Sequence, residues 1–173
     1  MHDLRLVKVQ TPALRLRLFG VTRWFGAHNF VALIDSAGAV KLEMHGIARG
    51  RDGAPLAVYG GVIPFRREYI WGEVFAGRSG FYDPSFPQGD LFVGSPSAIE
   101  TRLAAARAVR SAVNARQIRY PWPALLGANS NAYYATLIAG MGLPDVAVAR
   151  QLWAPSSGRK LLPKQVLADI ARP

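Results

Sequence analysis

The chain has no cysteine among its 173 residues. Disulfides, thiolate metal sites and a cysteine nucleophile are therefore excluded, and the redox compartment is left open. No apolar run approaches the roughly 18 residues that a membrane-spanning helix requires, so no transmembrane segment is expected. Gly60-Gly61 and Gly77-Arg78-Ser79-Gly80 match no phosphate-binding fingerprint. A Gly-x-Ser-x-Gly elbow is also missing, which argues against an α/β-hydrolase. The first residues, Met1-His2-Asp3-Leu4-Arg5, lack the charged-then-apolar layout of a secretory signal. The expected location is the cytoplasm, or an exterior reached without a cleavable signal peptide. Histidine is scarce, confined to His2, His28 and His45. Two usable imidazoles and one nearby carboxylate, without ligand spacing, do not make a metal site, so neither metal nor other cofactor is expected.

Acidic residues are few, 11 against 21 Lys and Arg, and the net charge is +10. The excess is uneven. Residues 97–173 carry ten basic and three acidic side chains, whereas residues 61–96 carry three basic and four acidic ones. The C-terminal part would attract an anionic partner such as nucleic acid, a cell-wall polymer or an acidic protein. Arg102, Arg107, Arg110 and Arg116 are the candidate contacts. The bland alternative is a solvated arginine-rich helix. No arginine run is interleaved with aromatics, as a single-strand binder would require.

Half of the residues are apolar and 18% are charged, which suits one folded domain spanning 1–173. The first part, 1–95, reads as strands. Leu4–Val9 and Leu14–Leu18 alternate apolar with basic residues, which predicts two half-buried strands with basic outer faces, separated at Thr11-Pro12. Strands are also predicted over 28–34, 39–45, 69–75 and 91–94, with a tight turn at Asp35-Ser36-Ala37-Gly38 and a loop over 49–55. The helix-rich part, 96–173, begins after Pro96. Ser97 and Glu100 form a capping-box pattern opening a helix to about Gln117, with Ile99, Leu103, Ala106, Val109 and Val113 as its apolar stripe. A Pro-Trp-Pro turn follows at 121–123. A second helix is predicted from about Asn131 to Met141, ended by Gly142 and Pro144, and a third over 164–171. Strands followed by helices predict an α+β fold, an antiparallel sheet with two or three helices on one face.

The turn at 35–38 sets a hairpin register. With Ser36 and Ala37 as loop residues, His28 faces His45 and Phe30 faces Glu43. The opposite face carries Asn29, Val31 and Leu33 against Val40, Leu42 and Met44 and must face the core. Both histidines then share one face, with Glu43 diagonal to His28. An imidazole oriented by a second polar group is what a general base requires. Two surface histidines at a strand end are the structural alternative.

Asn129-Ser130-Asn131 leads into the second helix. One of the three is an N-cap. A serine there also gains from the free N–H groups and the positive end of the helix dipole, which favour an oxyanion. The order of a strand histidine, a polar residue on the next strand and a nucleophile opening a late helix resembles the circularly permuted papain-like hydrolases of the NlpC/P60 superfamily, over about 28–142. Their Asn-Cys-Asn or Asn-Cys-Glu motif corresponds to Asn129-Ser130-Asn131, with serine in place of cysteine. The resemblance implies a permuted papain-like fold and cleavage or transfer at an amide, peptide or ester bond. It implies Ser130 as nucleophile, His28 as base and His45 as orienting residue. Glu43, Asn129 and Asn131 would orient or support the oxyanion, and a peptide, cell-wall component or acyl compound would be the substrate. Such an enzyme could be a housekeeping hydrolase or an effector delivered to another cell.

Three aromatic features remain. The loop 81–90, from Phe81 to Asp90, is either a substrate-contacting lid or a packed connection. Trp24-Phe25-Gly26 is a candidate apolar wall beside His28, and Tyr120, Trp122 and Trp153 read as core or helix-packing residues. Two functions of different class follow: a Ser-His hydrolase or acyltransferase, and a non-catalytic module holding an anionic partner on a basic helical face.

Overall fold

A computed structural model describes residues 3–18, 21–54, 68–120 and 127–172. The strands are β1 (Leu4–Leu18), β2 (Val21–Ile34), β3 (Val40–Arg49), β4 (Tyr69–Ala76) and β5 (Gln88–Gly94). The helices are α1 (Pro96–Ala115), α2 (Ser130–Gly140) and α3 (Lys164–Ala171). The strands form one antiparallel sheet in the order β4-β3-β2-β1-β5. The α+β class and the packing of the helices on one face agree with the sequence pattern. The Pro-Trp-Pro turn, Gly60-Gly61 and Trp122 lie outside the described residues, as do the side chains of Trp24 and Phe25.

Leu4–Val9 and Leu14–Leu18 are parts of one strand, because β1 runs through Thr11-Pro12 without interruption. The outward basic face fails at Lys8. Its ammonium is buried and pairs with Asp145 Oδ1 at 2.8 Å and the Val146 carbonyl at 2.9 Å. A buried ammonium must be paired, and the loop after α2 supplies the partners. Helix α1 starts two residues earlier than the capping-box pattern predicts. Ser95 is the N-cap, accepting from Ala98 N, and Pro96 occupies the first turn. That proline has no N–H to leave unsatisfied, and Glu100 instead pairs with Arg107. The stripe Ile99, Leu103, Ala106, Val109 and Val113 is the buried face of α1, as its spacing requires.

The hairpin turn is built by Asp35, whose Oδ1 accepts from Ala37 N and Ala39 N, and by Gly38 at a positive φ. Its register differs from the expected one. Val31 pairs with Met44, Ala32 with Glu43 and Leu33 with Leu42, and a bulge then shifts Ile34 to Val40. The slip is two residues, so every side chain keeps its face.

Both faces of the sheet are buried. On one, Leu6, Val31, Leu33 and Met44 meet the three helices. On the other, Val7, Val9, Phe30, Ala32 and Ile34 are covered by Tyr82 and Phe86 of the loop between β4 and β5. Helix α2 lies close on its side because Gly46 and Gly72 leave room for Tyr133, whose side chain occupies the space of any Cβ there. Gly46→Ala should therefore destabilise the fold by about 1–3 kcal/mol, the range for overpacking a core, as a lowered urea midpoint with an unchanged m-value would show.

Candidate functional site

The β2–β3 ladder ends at Val31 and Met44. Beyond it, the backbone groups of β2 find other partners. Asn131 donates from Nδ2 to the Ala27 carbonyl and accepts on Oδ1 from Asn29 N, both at 2.9 Å. Ala27 N donates to the Trp153 carbonyl at 2.8 Å. One side-chain amide and one loop carbonyl thus replace the missing strand, as buried peptide groups require. The start of α2 is wedged beside the strand that carries His28.

On the loop-covered face, four polar side chains form a chain. Glu43 Oε2 lies 2.8 Å from His45 Nε2, and His45 Nδ1 lies 2.9 Å from His28 Nε2. Ser79 holds the far end, donating from its backbone N to Glu43 Oε1 at 2.7 Å and from its hydroxyl to Oε2. Burial raises the Glu43 pKa, but the hydrogen bonds from His45 and Ser79 outweigh it and leave the carboxyl below its ordinary value. An ionised Glu43 fixes the tautomers. His45 donates from Nε2, so in its neutral form Nδ1 must accept, and His28 donates to it from Nε2. The Nδ1 of His28 is left as the outer acceptor. His45 and Glu43 are wholly inaccessible, while His28 keeps 9% exposure and Ser79, at the other end of the chain, is half-buried.

Burial and the neighbouring His45 hold the His28 pKa down to about 3. Burial also lowers that of His45, against the opposing pull of Glu43. Both imidazoles are neutral at neutral pH. Apolar rings wall them in. Phe30 stacks on His45 at 4.1 Å, Phe75 meets it edge-on at 5.2 Å, and Phe81 covers His45 and His28 at 5.0 and 5.5 Å between ring centroids. Phe81 is itself held by its backbone N donating to Ser79 Oγ.

The histidines share a face as expected, but their contact is diagonal, because the actual register places His45 short of a direct partner for His28. Ser130 does not join them. The side chains of β2 alternate, so Asn29, Val31 and Leu33 face α2, while His28 stacks with Phe30 on the other side. Ser130 opens α2 and hydrogen-bonds the Tyr120 hydroxyl through its own hydroxyl and backbone N–H. Asn129 is the N-cap, accepting from Asn131 N and Ala132 N, and it donates to the Pro155 carbonyl. Asn131 is spent on β2 and Pro155. The Ser130–His28 pair and the oxyanion role of the two asparagine side chains therefore do not form in this arrangement.

Three of the four candidate arginines, of which Arg116 is the C-cap residue of α1, have hydrogen-bond or ion-pair partners within the chain, although Arg107 and Arg116 remain exposed. Arg107 pairs with Glu100, Arg110 donates to the Gly72 carbonyl, and Arg116 donates back to the Ala112 carbonyl of its own helix. Arg102 lies over the Phe92 ring at 5.3 Å. Trp153 was expected to pack and instead is 65% exposed, whereas Tyr120 packs against the helix-side core. Ser79 was not singled out in the sequence. Its only signal there is its position in a glycine-flanked turn two residues before Phe81. Among the described residues, no group of three or more His, Asp or Glu side chains is placed to hold a metal ion.

Unfolded histidines titrate near 6.5, and both site histidines titrate lower when folded. Below that pH the unfolded chain binds more protons, so stability rises with pH. Stability should be level above about pH 6.5 and fall as the pH drops towards 5, by at most about 1.4 kcal/mol per pH unit for each histidine. Urea midpoints across this window test it, because the depressed carboxyls contribute only at lower pH. A midpoint that rises on acidification to pH 5 would contradict the burial of neutral imidazoles.

Comparison with protein-family models, curated proteins and solved structures gives no match, so the chemistry of the site is read from its own geometry.

Proposed function

We propose that this chain is a hydrolase of the amide, peptide or ester class, with His28 as its general base. The observation that carries this reading is the buried chain Glu43–His45–His28, which ends on the least enclosed of the three, His28, with a lone-pair nitrogen as its last acceptor. A water at His28 gives up a proton to Nδ1. The proton on His28 Nε2 passes to His45 Nδ1, and the positive charge comes to rest on His45 against the Glu43 carboxylate. The hydroxide attacks the carbonyl carbon, and the proton returns along the chain to the leaving nitrogen or oxygen. An acceptor hydroxyl in place of water makes the same sequence an acyl transfer. The dry aromatic walls strengthen each hydrogen bond and exclude competing water.

The resting pKa of His28 does not set its strength as a base alone, because the acquired charge is delivered to His45, where the carboxylate stabilises it. The role of Ser79 is to hold the carboxylate rather than to attack. The permuted papain-like resemblance is supported by the placement of Asn129-Ser130-Asn131 at the start of α2 beside β2. In this arrangement, however, water or an acceptor hydroxyl takes the part assigned to the nucleophile. The alternative, a module binding anions through α1, is disfavoured by the internal commitments of Arg107, Arg110 and Arg116.

Turnover of p-nitrophenyl esters and peptide anilides tests the reading. His28→Ala and His45→Gln should each lower kcat by about 100-fold or more, the range for a lost general base. Ser130→Ala should keep activity within about twofold and cost about 0.5–1.5 kcal/mol of stability for its lost hydrogen bond. A dead Ser130→Ala with native circular dichroism would move the nucleophile to Ser130. Full activity in His28→Ala would end the proposal.

A further inference from the structure

Thr11 is the residue of β1 directly paired with His28. Directly opposed residues of antiparallel strands project to the same face, with Cβ atoms about 4.5–5.5 Å apart. The next pair on that face, Val9 and Phe30, confirms the alternation, since both lie in the loop-side core. Thr11 is therefore beside the imidazole of His28, on the side away from β3. The two nitrogens of an imidazole look in nearly opposite directions. His28 Nε2 is turned towards His45 on β3, so Nδ1 looks away from β3, towards the β1 side of the face. Thr11 as a whole residue is 93% buried. The strand pairing thus puts a donor-acceptor hydroxyl on the β1 side of His28, the side its lone-pair nitrogen faces, with the Phe81 ring over the imidazole.

We infer that Thr11 positions the attacking water for His28. The inference rests on the base assignment made above. The water donates one hydrogen to His28 Nδ1 and the other to Thr11 Oγ1. Two fixed donations orient its free lone pair away from the sheet, towards the substrate carbonyl. When the first O–H bond breaks, its proton goes to Nδ1. The second remains on the hydroxide, still held by Thr11. The hydroxyl takes no proton and forms no covalent bond. Its contribution is orientation, the kind of effect in which a small misplacement of the reacting atom costs a large factor in rate.

Thr11→Val removes the hydroxyl and keeps the β-branched shape that the strand favours. Thr11→Ser keeps the hydroxyl. With p-nitrophenyl acetate as probe, Thr11→Val should lower kcat by about 10–100-fold with KM little changed, and Thr11→Ser should recover most of the loss. A second readout does not depend on turnover: in protein labelled with 15N-histidine, the His28 Nδ1 resonance should move in Thr11→Val and return in Thr11→Ser. Full turnover in Thr11→Val alongside a dead His28→Ala overturns the role of Thr11 and leaves the base assignment standing. Equal impairment in Thr11→Val and Thr11→Ser makes packing the cause and also overturns it. If His28→Ala is fully active, the functional reading fails instead. The resonance then decides the Thr11 contact alone: a shift upholds it, and an unmoved signal rejects it.

Discussion

Glu43 is a carboxylate with no solvent exposure, on a sheet face lined by Phe30 and Phe75. A buried charge of this kind is tolerated only when it is fully hydrogen-bonded. Three donors meet the requirement: the His45 imidazole and the backbone N–H and hydroxyl of Ser79. Much of the loop-side architecture follows from that demand. Ser79 is drawn onto the sheet, and Phe81 follows two residues later to lie over the imidazoles. Tyr82 is buried immediately after. His45 is turned so that its remaining nitrogen faces His28, and the polar chain therefore extends outward to His28.

The sheet divides the molecule into two chemically different sides. The helices cover one with an apolar core, in which Lys8, Asp145 and Tyr134 form the main polar contact. Among the described residues, the loop between β4 and β5 covers the other, where the titratable chain lies. Helix α2 belongs to the first side, yet its opening residues reach the edge of β2 and replace the ladder that β3 abandons. The wedge serves two ends. It satisfies the peptide groups of Ala27 and Asn29, and it consumes the side chain of Asn131. A short sequence that looks like a nucleophile motif is in this arrangement a backbone splice, with Asn129 as cap, Asn131 as surrogate strand and Ser130 bonded to Tyr120.

Much of the fold was legible because periodicity reports burial. The stripe on α1, the span of α3 and the turn built by Asp35 follow from residue spacing and local hydrogen bonding. The pairing of faces in the hairpin was legible too, since an apolar set on one side tolerates only an even slip of register. The two-residue offset itself was not. It comes from a bulge at Leu33–Ile34 and from the divergence of β3 beyond Val31, neither of which has a local signature. Lys8 was misjudged for a related reason: alternation says that a residue faces away from its neighbours, not what a distant loop will bring to it.

The sequence by itself determined the class of the fold, the turn at 35–38, the common face of His28 and His45, and the exclusion of thiol chemistry. These depend on local propensity, two- and 3.6-residue periods and residue identity. Only the tertiary structure decided that Ser79, rather than Ser130, touches the polar chain. It also decided which partners Arg107, Arg110 and Arg116 find within the chain and that the face bearing the histidines is buried at all. Each of these rests on contacts between segments tens of residues apart. Such contacts are set by how the whole chain satisfies one buried charge and two buried sheet faces at once.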